Sequence, residues 1–205
     1  PPAFVDETAD IKKAAQDIVL GASLDNNILC IAEKSVVAMR QIEPQLVQEM
    51  VKAGCVLVDN QQDIQRLVDL TVLPNGTPNK QFVGKNASVI LDAAHITYNG
   101  DPRLIILRTP KDHPFAVIEM LMPILPVITV DTFDVGLNVC LMLEAGLHHT
   151  ATIHSLNMER LNQMARKMKT SIFVKNGPSY AGLGFSGEGT TTFTIATPTG
   201  ESNTA

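Results

Sequence analysis

A chain of 205 residues with a net charge of −5 and a pI near 5.5 carries no dense Lys/Arg patch interleaved with aromatics, which argues against nucleic acid as its main partner. Hydrophobic residues make up 45% and charged residues 18%, an ordinary balance for a soluble α/β protein of one domain. Three cysteines at irregular spacing give neither a disulfide framework nor a zinc pair, so reduced thiols in the cytoplasm and no metal are expected.

"PPAFVD" (1–6) reads as a short opening strand, and "PPAFVDETADIKK" has neither the basic leader nor the apolar core expected of a signal peptide. The next segment is helical: Thr8 is the expected N-cap, acids occupy the first turn, and Ile11, Ala14, Ala15, Ile18 and Val19 recur at helical spacing. Asn26 and Asn27 are suited to the left-handed conformation that ends a helix. A strand is expected over 34–40, and a helix over 44–54 with Pro44 in its first turn and Gly54 past its end. A strand at 55–59 and a helix at 61–72 follow. The stretch 73–87 is punctuated by Pro, Gly and Asn and reads as a loop, with a weaker helix at 86–94.

Strands are then expected at 103–108, 126–130, 149–155 and 171–176, with helices at 132–146 and 157–169, the latter capped by Asn157. The apolar run "FAVIEMLMPILPVITV" is interrupted by Glu119, Pro123 and Pro126, whereas a bilayer span needs roughly 20 unbroken apolar residues. It is read as buried core, with no membrane as partner. Alternation of strand and helix predicts an α/β fold of three layers, a largely parallel sheet with helices on both faces. Ligands in such sheets are expected at the carboxyl ends of the strands.

Few residues stand out chemically. Cys55 opens an apolar strand and Cys140 lies inside "LNVCLML", so both read as small buried hydrophobes. Cys30 differs, because "DNNILCIAEK" places it between a turn and a strand, either as filler or as a thiol the loop exists to present. His148, His149 and His154 in "HHTATIH" are candidate bases or plain core and surface histidines. On a strand, His149 and His154 would point to opposite faces, which disfavours a shared metal. Glu119 is a carboxylate in apolar surroundings, to be paired, surface-exposed or placed for a ligand. The run "GLGFSGEG" (182–189) does not open a helix, as a dinucleotide fingerprint would, and reads as a close-packed turn.

Taken together, "VDETADIKKAAQDIVLGASLDNNILCIAEKSVV", "HPFAVIEMLMPILPV", "HHTATIHS" and "NQMARKMKTSIFVKNGPSYAGLGFSGEGTTTFTIATPTGE" resemble the catalytic part of the CoA-acylating aldehyde dehydrogenases of ethanolamine and propanediol breakdown. "NILCIAEK" is similar to the superfamily's nucleophile loop, N-x-x-C-x-A-x-[RK], with Cys30, Ala32 and Lys34 in place. The resemblance implies that Cys30 is the nucleophile and that a short-chain aldehyde, NAD and CoA give acyl-CoA and NADH through a thiohemiacetal and a thioester. It implies a nicotinamide-ribose contact for Glu119, although the Phe-Gly pair expected after the glutamate is missing. One of His148, His149 and His154 would assist the CoA thiol, and Asn26, Asn27, Gly184 and Phe185 would line the pocket.

It further implies a catalytic domain at 1–195, the truncated start of an oligomerisation arm at 196–205, and an NAD-binding domain on the missing part of a longer, homo-oligomeric parent. The location is expected to be cytoplasmic, inside a bacterial microcompartment in some relatives. A non-acylating dehydrogenase and a cofactor-free Cys/His acyltransferase or hydrolase are the alternatives.

Overall fold

A computed structural model describes residues 1–185, Gly187, and the strand positions 194–195 and 203–204. In chain order the elements are β1 (Pro2–Val5), α1 (Ile11–Ser23), β2 (Ser35–Met39), α2 (Glu43–Lys52), β3 (Cys55–Leu57), α3 (Gln61–Thr71) and α4 (Ala87–Ala93). They continue with β4 (Leu104–Arg108), α5 (Pro114–Val117), β5 (Ile124–Val130), α6 (Phe133–Glu144), β6 (Thr150–His154), α7 (Met158–Met168) and β7 (Ile172–Lys175). A small antiparallel pair, β8 (Thr194–Ile195) with β9 (Asn203–Thr204), lies in the part read as the end of the domain and the start of the arm. The rest of that part is outside the described residues.

Strands β1 to β7 form one sheet in the order β3-β4-β5-β2-β1-β6-β7, with every pair parallel. The expected three-layer α/β architecture is therefore present. β1, β2 and β6 are buried along their whole length, the signature of a sheet covered on both faces. On β4 the alternation of a strand is visible: Leu104 and Ile106 enter the main core with α1 and α2, while Ile105 and Leu107 enter a second core with α3 and α4. Helix α6 lies so close to β1 that a Cβ at Gly136 would overlap the Phe4 ring. Phe4 stacks on Phe133 at 5.3 Å between centroids.

Local details differ from expectation in instructive ways. Asp10 caps α1, its Oδ1 accepting from Lys13 N–H at 3.0 Å, and no acid stands in the first turn. Thr8 is drawn away from the cap because its hydroxyl donates to Asp6 at 2.7 Å and accepts from Leu156 N–H at 2.9 Å. Strand β5 begins at Ile124 and runs through Pro126. The short α5 has no counterpart in the sequence reading; Pro114 starts it, and His113 Nδ1 accepts from Phe115 N–H at 3.2 Å.

Candidate active site

A cavity of about 360 Å³ that includes a thiol in its wall lies at the amino ends of the central strands. Its wall includes Cys30 and Lys34, just before β2, Glu119, before β5, and His149 and Thr150, at the start of β6. Val117, Ile118, Leu143 and Leu147 supply an apolar rim. The carboxyl-end location expected from parallel sheets is thus corrected. The reason is visible there: at the carboxyl ends of β1 and β6, Asp6, Thr8, Ser155 and Arg160 fill the space with their own hydrogen bonds. A larger, open depression beside α4, lined by Asp92, His95, Thr97 and Tyr98, has no cysteine in its wall.

The Cys30 segment is shaped by an unusual turn. Asp25, Asn26 and Asn27 all have left-handed backbones, with φ of 49°, 52° and 66°. Such a conformation costs roughly 1–2 kcal/mol per residue, least for Asn and Asp. Side-chain bonds hold it in place. Asn26 Nδ2 donates to Gly84 O at 3.0 Å and to Asn86 Oδ1 at 2.8 Å, so the 73–86 loop braces the turn. Asn27 is buried, and its Nδ2 donates to Ala22 O at 2.7 Å and Glu33 O at 3.0 Å, closing the base of the loop. Cys30 emerges exposed, in contrast to the buried Cys55 and Cys140. Burial pushes the Cys55 thiol up to about 12 and raises Cys140 as well, so both are inert thiols.

Lys34 is mostly buried and donates to Asn27 O at 2.6 Å and Asn27 Oδ1 at 2.8 Å. Burial lowers its pKa to about 8, with Glu119, Cys30 and Glu33 opposing the drop. Glu119 Oε1 lies 3.9 Å from Lys34 Nζ, with the glutamate side chain 53% exposed on the rim. His149 is buried; its N–H donates to Glu144 Oε1 at 2.9 Å and its Nδ1 is 2.6 Å from Thr150 Oγ1. Its Nε2 is buried without a hydrogen-bond partner, and burial lowers the ring's pKa, so a neutral imidazole faces this region.

The three histidines are separated by the fold. His148 precedes His149 but is not part of the cavity wall, and its carbonyl accepts from Ser171 N–H. His154 is at the other end of β6, five residues or roughly 16 Å away at the usual rise of a strand. It is buried, with Nδ1 3.9 Å from Asp17 Oδ2, and its pKa falls to about 3. His149 itself precedes β6, so the length of the strand separates the pair. Asn26, Asn27, Gly184 and Phe185 are not in the wall either. The two asparagines act behind it, and Phe185 is exposed, its ring 6.5 Å from Tyr180. The sequence reading missed Glu33, a fully buried carboxylate. The criterion that singled out Glu119, an acid among apolar residues, applies equally to "CIAEK".

Fold and cavity define an α/β domain built around an accessible thiol. The chain belongs to the aldehyde dehydrogenase family, whose model matches residues 1–196. It is 52% identical, over its whole length and 44% of the relative's, to a propanal dehydrogenase (CoA-propanoylating) of Citrobacter freundii. Among solved structures it is similar to a propionaldehyde dehydrogenase of Rhodopseudomonas palustris with bound propionyl-CoA, at 45% identity and a TM-score of 0.93 over 98% of this chain and 44% of that one. That protein has also been solved with bound CoA and an acylated cysteine. An engineered glycolyl-CoA reductase with bound NADP⁺ matches with a TM-score of 0.93 and 45% identity, over 98% of this chain and 46% of that one. The chain spans less than half the length of these proteins. Among the described residues, no helix is long and apolar enough to cross a membrane.

Proposed function

We propose that this chain is the thiol-bearing part of a CoA-acylating aldehyde dehydrogenase that acts on short-chain aldehydes. The observation that carries the reading is a single cavity walled by an exposed cysteine, a desolvated lysine, a rim glutamate and a neutral histidine. Cys30 adds through its sulfur to the aldehyde carbonyl to form a thiohemiacetal, with Lys34 in the same wall. A nicotinamide nucleotide, when bound, supplies the hydride acceptor that turns this adduct into a thioester. Glu119 fits such a ligand, because its half-exposed carboxylate can accept from ribose hydroxyls. His149 takes the proton of the CoA thiol as it attacks the thioester, and Cys30 departs as thiolate.

His149 is preferred over His148 and His154 because, among the described residues, it alone of the three stands in the cavity wall. The acylated cysteine of the Rhodopseudomonas protein supports a covalent route, and the NADP⁺ of the engineered reductase supports a nucleotide cofactor. Residues 1–195 form the catalytic domain, and 196–205 begin an arm used for oligomerisation. The nucleotide-binding domain belongs to the remaining length of the parent. Val117 and Leu147, exposed at 59% and 41% beside the cavity, suit a surface that a further domain covers.

Incubation of the chain with propionyl-CoA, followed by intact mass and adduct mapping, tests the assignment. A propionyl group on Cys30, absent in Cys30→Ala, is expected. An adduct on Cys55 or Cys140, or none, overturns it.

A further inference from the structure

The Cys30 segment is held from behind by a carboxylate that takes no part in the chemistry above. Glu33 is fully buried, and each of its oxygens accepts from Ser179: Oε1 from the backbone N–H and Oε2 from the hydroxyl, both at 2.8 Å. Helix α1 makes room for it, because a Cβ at Gly21 would overlap the carboxylate. Burial raises the Glu33 carboxyl to about 7, with the Ser179 bonds opposing the shift. An apolar residue here would avoid that desolvation, so packing alone does not account for an acid. Around this pair, Leu29 and Ile31, which flank Cys30, join Tyr180, Ala181 and Leu183 in a small separate core.

We infer that Glu33 is a positioning residue, which ties the Cys30 segment (28–34) to the 179–183 turn so that the two hold or open together. Two parallel bonds to one residue fix orientation as well as distance, and in a buried site water does not compete for them. The thiol is then presented at a fixed depth in the cavity. This consequence rests on the proposed role of Cys30; the coupling of the two segments does not.

Amide hydrogen exchange and Cys30 acylation by propionyl-CoA are measured on this chain and on Glu33→Ala and Glu33→Gln. Exchange in both 28–34 and 179–183 should accelerate about tenfold or more in Glu33→Ala, as expected when one cooperative unit loses its tie. Acylation at saturating propionyl-CoA should slow by about tenfold or more, from misplacement of the thiol. Glu33→Gln keeps an acceptor for the Ser179 N–H and lets the hydroxyl reverse its bond, so both readouts should return to within about threefold of the parent. Unchanged exchange at 179–183 in a folded Glu33→Ala, or a Gln variant as impaired as Ala, overturns the inference.

Should Glu33→Ala fail to fold, Ser179→Ala removes only the hydroxyl bond. Faster exchange in both segments then supports the tie, and parental exchange overturns it. If the parent chain is not acylated at all, the proposed function falls, while the paired exchange still decides the coupling.

Discussion

The two ends of the central strands solve opposite problems with similar side chains. At the carboxyl ends, Asp6 accepts from Thr8 N–H and Oγ1, from Ser155 Oγ and from Arg160 Nη1, while Arg160 also pairs with Glu7 at 2.6 Å and covers the Phe133 ring. At the amino ends, His149 Nε2 is buried and unpartnered, Glu119 is half exposed, and Cys30 stands open to solvent. The first end is closed by this network, with His154 Nε2 left buried and unpartnered there, and it stabilises the fold. The second leaves polar groups uncommitted, which is what the proposed function requires. The backbone topology alone would have favoured the first: β1 leads to β2 on one side and β6 to β7 on the other, so the crevice of a parallel sheet opens between their carboxyl ends. In the proposed function, side chains rather than topology decide which end is used.

Substitutions at the two ends should therefore separate activity from stability. The largest contrast is expected from Cys30→Ser. Acylation by propionyl-CoA should disappear with little change in melting temperature, because the residue is exposed and the serine is nearly isosteric; intact mass and thermal melts check both. Asp6→Ala should do the reverse. Removing the centre of this network costs Thr8, Ser155 and Arg160 a partner each, although Arg160 keeps Glu7, and about 1–3 kcal/mol of stability is expected to be lost, read from urea midpoints. In the variant that remains folded, Cys30 acylation should stay within about threefold, since the site is at the far end of the strands.

Next in size is the pair of histidines. His149→Ala should slow transfer of the acyl group from Cys30 to CoA by about 10²-fold, the usual range for loss of a general base. His154→Ala should leave that rate unchanged and lower stability instead. Equal slowing by both would dissolve the distinction between the two ends.

The smallest effect is in the pH dependence of stability, where the two ends oppose one another. Glu33 keeps its proton up to about 7 in the folded chain against 4.5 unfolded. The native state thus binds more protons in that window, and the contribution of Glu33 falls as pH rises from 4.5 to 7. His154, at about 3 against 6.5, binds fewer protons when folded, so its contribution is lost as pH falls from 6.5 to 3. Between 4.5 and 6.5 the slopes counteract each other. Glu33→Gln should uncover a rise of stability with pH in that range and His154→Ala a fall, each at most about 1.4 kcal/mol per pH unit. Urea midpoints measured every half unit would show it.

Much of this was legible in one dimension. Apolar runs between turn residues located all seven strands of the main sheet, because strands buried on both faces have little freedom of composition. Pro44, Gly54 and Asn157 marked helix ends through backbone chemistry that acts over a few residues. Pro126 misled the start of β5, since a residue without an N–H reads as a strand boundary. Thr8 misled the start of α1, since its hydroxyl is claimed by Asp6 and by the Leu156 amide, far along the chain. The isolation of Cys30 in a loop was visible, and so was the left-handed tendency of Asn26 and Asn27.

The sequence by itself determined the layers, the alternation of strand and helix, and which of three cysteines lies outside an apolar run. These follow from local periodicity and backbone preference. Tertiary structure alone decided which end of the sheet holds the cavity, which of His148, His149 and His154 enters its wall, and that Glu33 reaches Ser179. Each of those depends on bringing together residues more than a hundred positions apart, and on which buried polar groups find partners. No local pattern encodes that pairing, because it is settled only when the strands are stacked in the order β3-β4-β5-β2-β1-β6-β7.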